Sequence, residues 1–300
     1  MDAWANHSRR FDQNRFVYPV WSRRAEGLSV GINLNPDKVC NFDCIYCQVD
    51  RTVSSDVPFV EWDRLLGELD SMLELVVSGE IWTHPRFATI DPRSRRVNDL
   101  AFSGDGEPTT YRNFDEIVSA CAERKRQRGL NAVKMVLITN ASMFHRASVQ
   151  RGLALLDQNQ GEIWAKLDAG TDEYFQRIDR TPISFQKILS NIVAAARIRP
   201  LVIQSLFMRV ESEPPPPEEL EAFCDRLNEI KFAGGRIQRV QVYTIARRPA
   251  ESWVTPLARS EVDAIVDRVR RRTGLEALPY YGYDDTSGLE SSLGADGEKG

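Results

Sequence analysis

Short continuous apolar runs alternate along this chain with longer stretches in which apolar residues recur every three or four positions. The short runs fall at 28–34, 100–103, 134–139, 162–167, 201–210 and 239–244, and most are rich in Val, Ile and Leu. Runs of that kind predict parallel strands buried on both faces. Between them, segment 62–77 places Leu65, Leu66, Leu69, Met72, Leu73 and Val76 on one helical face. Segments 114–127, 148–156, 184–197, 217–230 and 259–272 show the same period. The proline run 214–217 followed by Glu218 and Glu219 marks a helix start, because proline fits the first turn and acids there complement the helix dipole.

Strand–helix alternation predicts an α/β fold with parallel strands and right-handed crossovers. About six βα units are present, fewer than the eight of a full TIM barrel. The expected architecture is therefore a partial (β/α)6 TIM-like barrel with surrounding helices, one domain over 15–285. The tail 286–300 is rich in Ser, Gly and acids and reads as disordered. Segment 79–98 is a polar insert carrying Pro85, Pro92 and the cluster Arg93, Arg95 and Arg96.

The chain has 300 residues, long enough to bury a core without disulfides. Its net charge of −4 argues against a protein devoted to non-specific polyphosphate contact, while leaving room for a local basic patch. No apolar run approaches the roughly 18 residues that span a membrane. The first 24 residues are polar, aromatic and basic, without the apolar centre of a secretory signal, so a cytoplasmic location is expected. Three of the five cysteines crowd into eight residues, which fits metal ligation in a reducing compartment better than disulfides.

Those three are Cys40, Cys44 and Cys47, spaced C-x3-C-x2-C just past the first predicted strand. Thiolates are the usual ligands of iron–sulfur clusters. Three on one loop can hold three irons of a cubane and leave the fourth open to a ligand that is not protein. Cys121 and Cys224 lie on predicted helices and read as packing residues. The alternative is a zinc-binding interaction module on an α/β scaffold. Structural zinc takes four ligands, usually paired C-x2-C elements or histidines; the nearest histidines in sequence are His7 and His84.

The second predicted strand runs into Ser103, Gly104, Asp105, Gly106, Glu107, Pro108 and Thr109, a glycine-rich strand-end turn with two acids. Active sites of parallel barrels gather at such C-terminal strand ends. The next two strands end in Asn140 and in Lys166 and Asp168. Asn140 reads equally as a turn residue, and Asp168 as a cap for a helix after Gly170. Gln204 sits inside an apolar strand, Arg209 and Glu211 end it, and Tyr243, Thr244, Arg247 and Arg248 close the sixth. Paired arginines at a barrel mouth suit a carboxylate or phosphate, or form a solvated loop.

C-x3-C-x2-C with an aromatic before the third cysteine resembles the signature of the radical S-adenosylmethionine (SAM) superfamily. The resemblance implies a [4Fe–4S] cluster on Cys40, Cys44 and Cys47, with SAM chelating the fourth iron and Tyr46 near its adenine. Residues 103–109 are similar to the family's Gly-Gly-Glu-Pro motif, which contacts the SAM amino group. Gly106 and Glu107 keep their places in it, Asp105 stands where the first glycine is usual, and Gly104 precedes them in the same turn. By the same resemblance Asn140, Lys166 and Asp168 contact the ribose or methionine parts. The family uses one electron, from a flavodoxin- or ferredoxin-type donor, to split SAM into methionine and a 5′-deoxyadenosyl radical that abstracts hydrogen from a substrate. Across roughly 17–244, including Tyr18, Pro19, Ser22, Arg23 and Arg24, the arrangement resembles an Fe–S oxidoreductase branch related to the wyosine tRNA base synthases. Those tRNA enzymes carry a second cluster's cysteines, for which this chain has no spare pair. RNA, peptide and small-molecule substrates stay open.

Overall fold

The computed structural model describes residues 11–22, 27–247, 249 and 251–282. Ten strands and seven α-helices alternate along them. They are β1 (Val17–Ser22), β2 (Gly27–Ile32), α1 (Trp62–Ser78), β3 (Val97–Phe102), α2 (Phe114–Gln127), β4 (Lys134–Thr139), α3 (Ala147–Asp157) and β5 (Gly161–Lys166). Then follow α4 (Asp172–Asp179), α5 (Phe185–Ile198), β6 (Leu201–Leu206), β7 (Met208–Val210), α6 (Pro217–Phe232), β8 (Ile237–Tyr243), β9 (Val254–Pro256), α7 (Arg259–Thr273) and β10 (Ala277–Tyr280).

Eight strands form one sheet in the order β1-β2-β3-β4-β5-β6-β8-β10. All neighbours are parallel except β1, which pairs antiparallel with β2. Six consecutive parallel strands, β2 to β8, are the expected (β/α)6 half-barrel. The sheet gains a strand at each edge, and β7 pairs with β9 as a separate ribbon. The apolar run 201–210 is thus two strands, broken at Phe207, whose amide turns to the Tyr243 carbonyl. The insert 79–98 contains two short 3-10 turns, Glu80–Thr83 and Pro92–Ser94, before β3 begins. Tail 286–300, Arg23, Arg24 and Arg248 lie outside the described residues.

Strand periodicity sorts the sheet's two faces. Leu28, Val30, Leu100, Phe102, Leu137, Ile163 and Ile203 point out into the helix layer and belong to the main core. The alternate residues Ala101, Val136, Trp164 and Val202 form a small apolar floor on the inner face. Above this floor, toward the C-terminal strand ends, polar side chains take over: Lys166 pairs in register with Gln204, and Gln204 with Gln241. The Gln204 amide donates to the Gln241 amide oxygen at 2.9 Å. Among the described residues no helix is long and apolar enough to cross a membrane.

Candidate functional site

One cavity of about 340 Å³ opens at the C-terminal ends of the strands. Cys40, Cys44, Cys47 and Tyr46 line it from the β2–α1 loop, Gly104, Gly106 and Glu107 from the turn after β3, Asn140 from β4, and Lys166 from β5. Arg247 lines it as well. Nine of the cysteine-ligand and SAM-contact candidates, from four separate stretches of sequence, therefore converge on one space with Arg247. Asp105 and Asp168 stand outside that lining.

The cysteine loop is held from two sides. On one, the amides of Asp43 and Ile45 donate to the carbonyls of Asp179 and Ile178 at the end of α4, at 3.1 and 2.9 Å. The Cys44 thiol donates to Asp179 Oδ1 at 3.2 Å. On the other side, Asn140 Nδ2 donates to Asn41 Oδ1 at 2.9 Å, and Asn41 Nδ2 to Ser142 Oγ at 2.8 Å. Asn140 Oδ1 accepts from the Ser142 amide and hydroxyl, so this side chain is a strut between β4 and the cysteine loop.

The glycine turn packs directly on the segment leading into Cys40. A Cβ at Gly104 would meet Asn33 Oδ1 at 2.1 Å, and one at Gly106 would meet the Val39 carbonyl at 2.2 Å. No side chain fits either place, which is why the turn tolerates Asp105 but needs glycine on both sides of it. Asp105 turns to Asn33, whose Nδ2 donates to its carboxylate at 2.7 Å.

Glu107 is buried and collects four donors. Its Oε1 accepts from the Thr109 amide at 3.0 Å, the Thr109 hydroxyl and the Thr139 hydroxyl at 2.6 Å; its Oε2 accepts from the Asn140 amide at 2.7 Å. Burial nonetheless pushes its carboxyl above the ordinary range, against the pull of those hydrogen bonds. Oε2, with a single donor, retains acceptor capacity.

Behind the cysteine loop lies a buried charged cluster. Tyr46 donates to Asp168 Oδ2 at 2.5 Å and stands 3.3 Å from Asp179 Oδ1. Lys166 Nζ lies 3.0 Å from Asp168 Oδ2 and 2.8 Å from the Tyr243 hydroxyl, over the Tyr46 and Tyr243 rings. Asp168 Oδ1 accepts the Leu206 amide at 2.7 Å. Burial alone would lower the Lys166 pKa, but Asp168 and Tyr243 outweigh it and hold the ammonium above its ordinary range. Burial, helped by the Asp168 charge, pushes Asp179 up to about 7. Burial raises the Cys44 thiol and the Tyr46 phenol well above their ordinary values. Asp168 therefore positions Tyr46 and Lys166 and does not cap the next helix; the Thr171 hydroxyl does that, accepting from the Tyr174 amide.

The radical SAM superfamily profile matches residues 34–221. The chain belongs to the radical SAM superfamily. A UPF0026 protein of Helicobacter pylori is 25% identical over 76% of this chain and 65% of its own length. A Brachyspira hyodysenteriae protein named GTPase Obg is 24% identical over 83% of this chain and 32% of its own. The chain thus spans less than two thirds of either relative. In fold it is similar to a radical SAM methyltransferase from Sphaerobacter thermophilus, at a TM-score of 0.60 and 11% identity, covering 88% of this chain and 69% of that one. Streptococcus suis SuiB, solved bound to SAM, gives 0.57 and 12% over 87% and 52%.

For a radical SAM protein the donor set is apt. Three free, half-buried thiols line one cavity, and soft thiolates suit iron–sulfur clusters. Among the described residues no three His, Cys, Asp or Glu side chains converge as they would around a single ion. Cys121 and Cys224 are buried in helices, as expected. Arg209 pairs with Glu261 and Glu211 with Arg177, and neither lines the cavity. Sequence reasoning missed Asp179, Asn41 and Ser142. Asp179 ends a two-turn helix too short to show a periodic stripe; its signal is Thr171 followed by Asp172 and Glu173, a helix start.

Proposed function

We propose that this chain is a radical SAM enzyme whose Cys40, Cys44 and Cys47 hold a [4Fe–4S] cluster, with SAM on the iron the protein leaves open. The observation that carries this reading is the meeting of all three thiols with Gly104, Gly106, Glu107, Asn140, Lys166 and Tyr46 around one cavity. Bound there, the cluster and SAM supply one-electron cleavage of a SAM carbon–sulfur bond and the radical chemistry that follows.

The chain's own groups do the rest. Glu107 Oε2, buried and with capacity left, suits an ammonium, a charge-assisted contact. The glycine turn lets the backbone approach the ligand closely. Tyr46 and Lys166, held by Asp168, offer an aromatic face and a fixed cation beside it. The apolar floor of Ala101, Val136 and Trp164 keeps water from the closed end of the cavity. Gln204 and Arg247, on its lining, are the groups left to meet substrate. The reductant is a flavodoxin- or ferredoxin-type protein, and the substrate an RNA, peptide or small molecule. Anaerobic reconstitution with iron and sulfide tests the reading: about four irons per chain and a brown protein support it. A colourless protein with one zinc overturns it.

A further inference from the structure

The inner wall of the cavity carries a polar atom that the contacts described so far leave unused. Gln204 stands on the inner face of β6, 1% exposed, and lines the cavity. Its Nε2 is committed to Gln241 Oε1 at 2.9 Å. Its Oε1 accepts no hydrogen bond among the described residues. Nor is that oxygen one of the side-chain atoms sealed in packing without a partner. Its open side therefore faces the cavity. A buried amide oxygen left dry and unpaired is costly, so a carboxamide aimed into a cavity calls for a donor.

The surroundings narrow the kind of donor. Trp164, one strand over on β5, pairs in register with Val202, two residues before Gln204. With Ala101, Val136 and Val202 it makes the apolar floor. Ile138 and Leu206, which also line the cavity, are apolar as well. Lys166, in register with Gln204, is already balanced by Asp168 at 3.0 Å and by the Tyr243 hydroxyl at 2.8 Å. Desolvating a further ion against an apolar floor is costly. Across the cavity, on β3, the Asp99 carboxylate accepts the Ser29 hydroxyl and turns anions away from that wall. What fits beside Gln204 is a flat or compact apolar group with an N–H or O–H on its edge.

We infer that Gln204 is a specificity-determining residue at the substrate end of the cavity: its Oε1 accepts an N–H or O–H from an uncharged, largely apolar substrate group lying on the Trp164 floor. The inference rests on the proposed function, since it takes the cavity to hold SAM and a substrate together. Selection works through the loss that an unmet amide oxygen imposes on any ligand of the same shape without the donor.

The test uses reconstituted holoprotein, unreduced, with SAM present. Iron and sulfide analysis of the same samples reports cluster loading. The probes are indole, which is flat and apolar with one N–H; indene, which has its shape without the donor; and benzofuran, which puts an acceptor oxygen in its place. Equilibrium dialysis measures their Kd values. Indole should bind about ten- to a hundredfold tighter than indene or benzofuran. Gln204→Met nearly keeps the volume, removes the amide and should abolish that preference. Val136→Phe, which fills the floor, should weaken all three probes and so place them in this cavity. The parent's indole-to-indene ratio decides the matter even if Gln204→Met fails to fold. A chain that takes up no cluster refutes the proposed function and this inference with it. On a loaded chain, five results would each overturn the assignment of Gln204 and leave the function standing: indole and indene bind alike, neither binds, benzofuran binds tighter than indole, Val136→Phe leaves the probes untouched, or Gln204→Met weakens SAM as much as indole.

Discussion

The Tyr46 hydroxyl and the Asp168 carboxylate, far apart in sequence, meet at 2.5 Å and join the cysteine loop to the end of β5. The same carboxylate balances Lys166 at 3.0 Å and receives the Leu206 amide. Asp168→Ala leaves a buried ammonium without its counter-ion, and breaking such a pair costs about 3–5 kcal/mol. Tyr46→Phe removes one hydrogen bond to a charged group, about 1.5–3 kcal/mol. Chemical denaturation of the two variants beside the parent checks the order: Asp168→Ala must be the more damaging.

Asn140 is expected to act on cluster retention. Its side chain joins β4 to Asn41, next to Cys40. Asn140→Ala leaves the Asn41 amide oxygen and the Ser142 amide short of partners, about 1–3 kcal/mol each where buried. Reconstituted Asn140→Ala should release iron to a chelator several-fold faster than the parent while its thermal transition shifts only modestly. Equal release rates would make Asn140 a turn residue and no more.

Glu107 gives the fold a pH signature. Its folded pKa lies above the ordinary value of 4.5, because burial outweighs its hydrogen bonds. Between those two pKa values the folded chain binds more protons than the unfolded one, so stability falls as pH rises. The stabilisation linked to its protonation is complete below about pH 4.5 and is lost as pH rises through the folded pKa. Glu107→Gln removes that titration. The stability of parent minus variant, from urea unfolding at a series of pH values, should decline as pH rises above the ordinary carboxylate range; a difference that grows instead means that Glu107 is stabilised as the anion.

Cys121 and Cys224 should be chemically silent. Burial pushes their thiols up to about 12 and about 11, and thiolate is the reactive form. At pH 8, iodoacetamide followed by peptide mass spectrometry should find both unlabelled in folded protein and labelled after denaturation.

Much of this was legible in the sequence. The three close cysteines and the glycine turn could be read as candidates because their chemistry is concentrated in short segments. The six central strands showed as apolar runs because parallel strands are buried on both faces. The edge strands β1 and β10 did not: Tyr18, Pro19 and Trp21 in one, and Pro279 in the other, break the Val-, Ile- and Leu-rich pattern that buried parallel strands show. Asp168 stood out as a strand-end carboxylate, but its contacts with Tyr46 and Lys166 did not. A strand-end carboxylate that meets a ligand and one that holds Tyr46 and Lys166 look identical until the cysteine loop folds over it. Asp179 depends on a contact across 135 residues, which local periodicity does not carry.

The central claim is that three thiolates hold a cluster that cleaves SAM. Its most direct measurement is mass-spectrometric quantitation of 5′-deoxyadenosine and methionine from reconstituted protein reduced in the presence of SAM. The parent should form the two in equal amounts, Cys40→Ala, Cys44→Ala and Cys47→Ala should form neither, and Cys121→Ala and Cys224→Ala should match the parent. Undiminished 5′-deoxyadenosine from Cys44→Ala, or none from a parent chain carrying its full complement of iron and sulfide, would contradict the account.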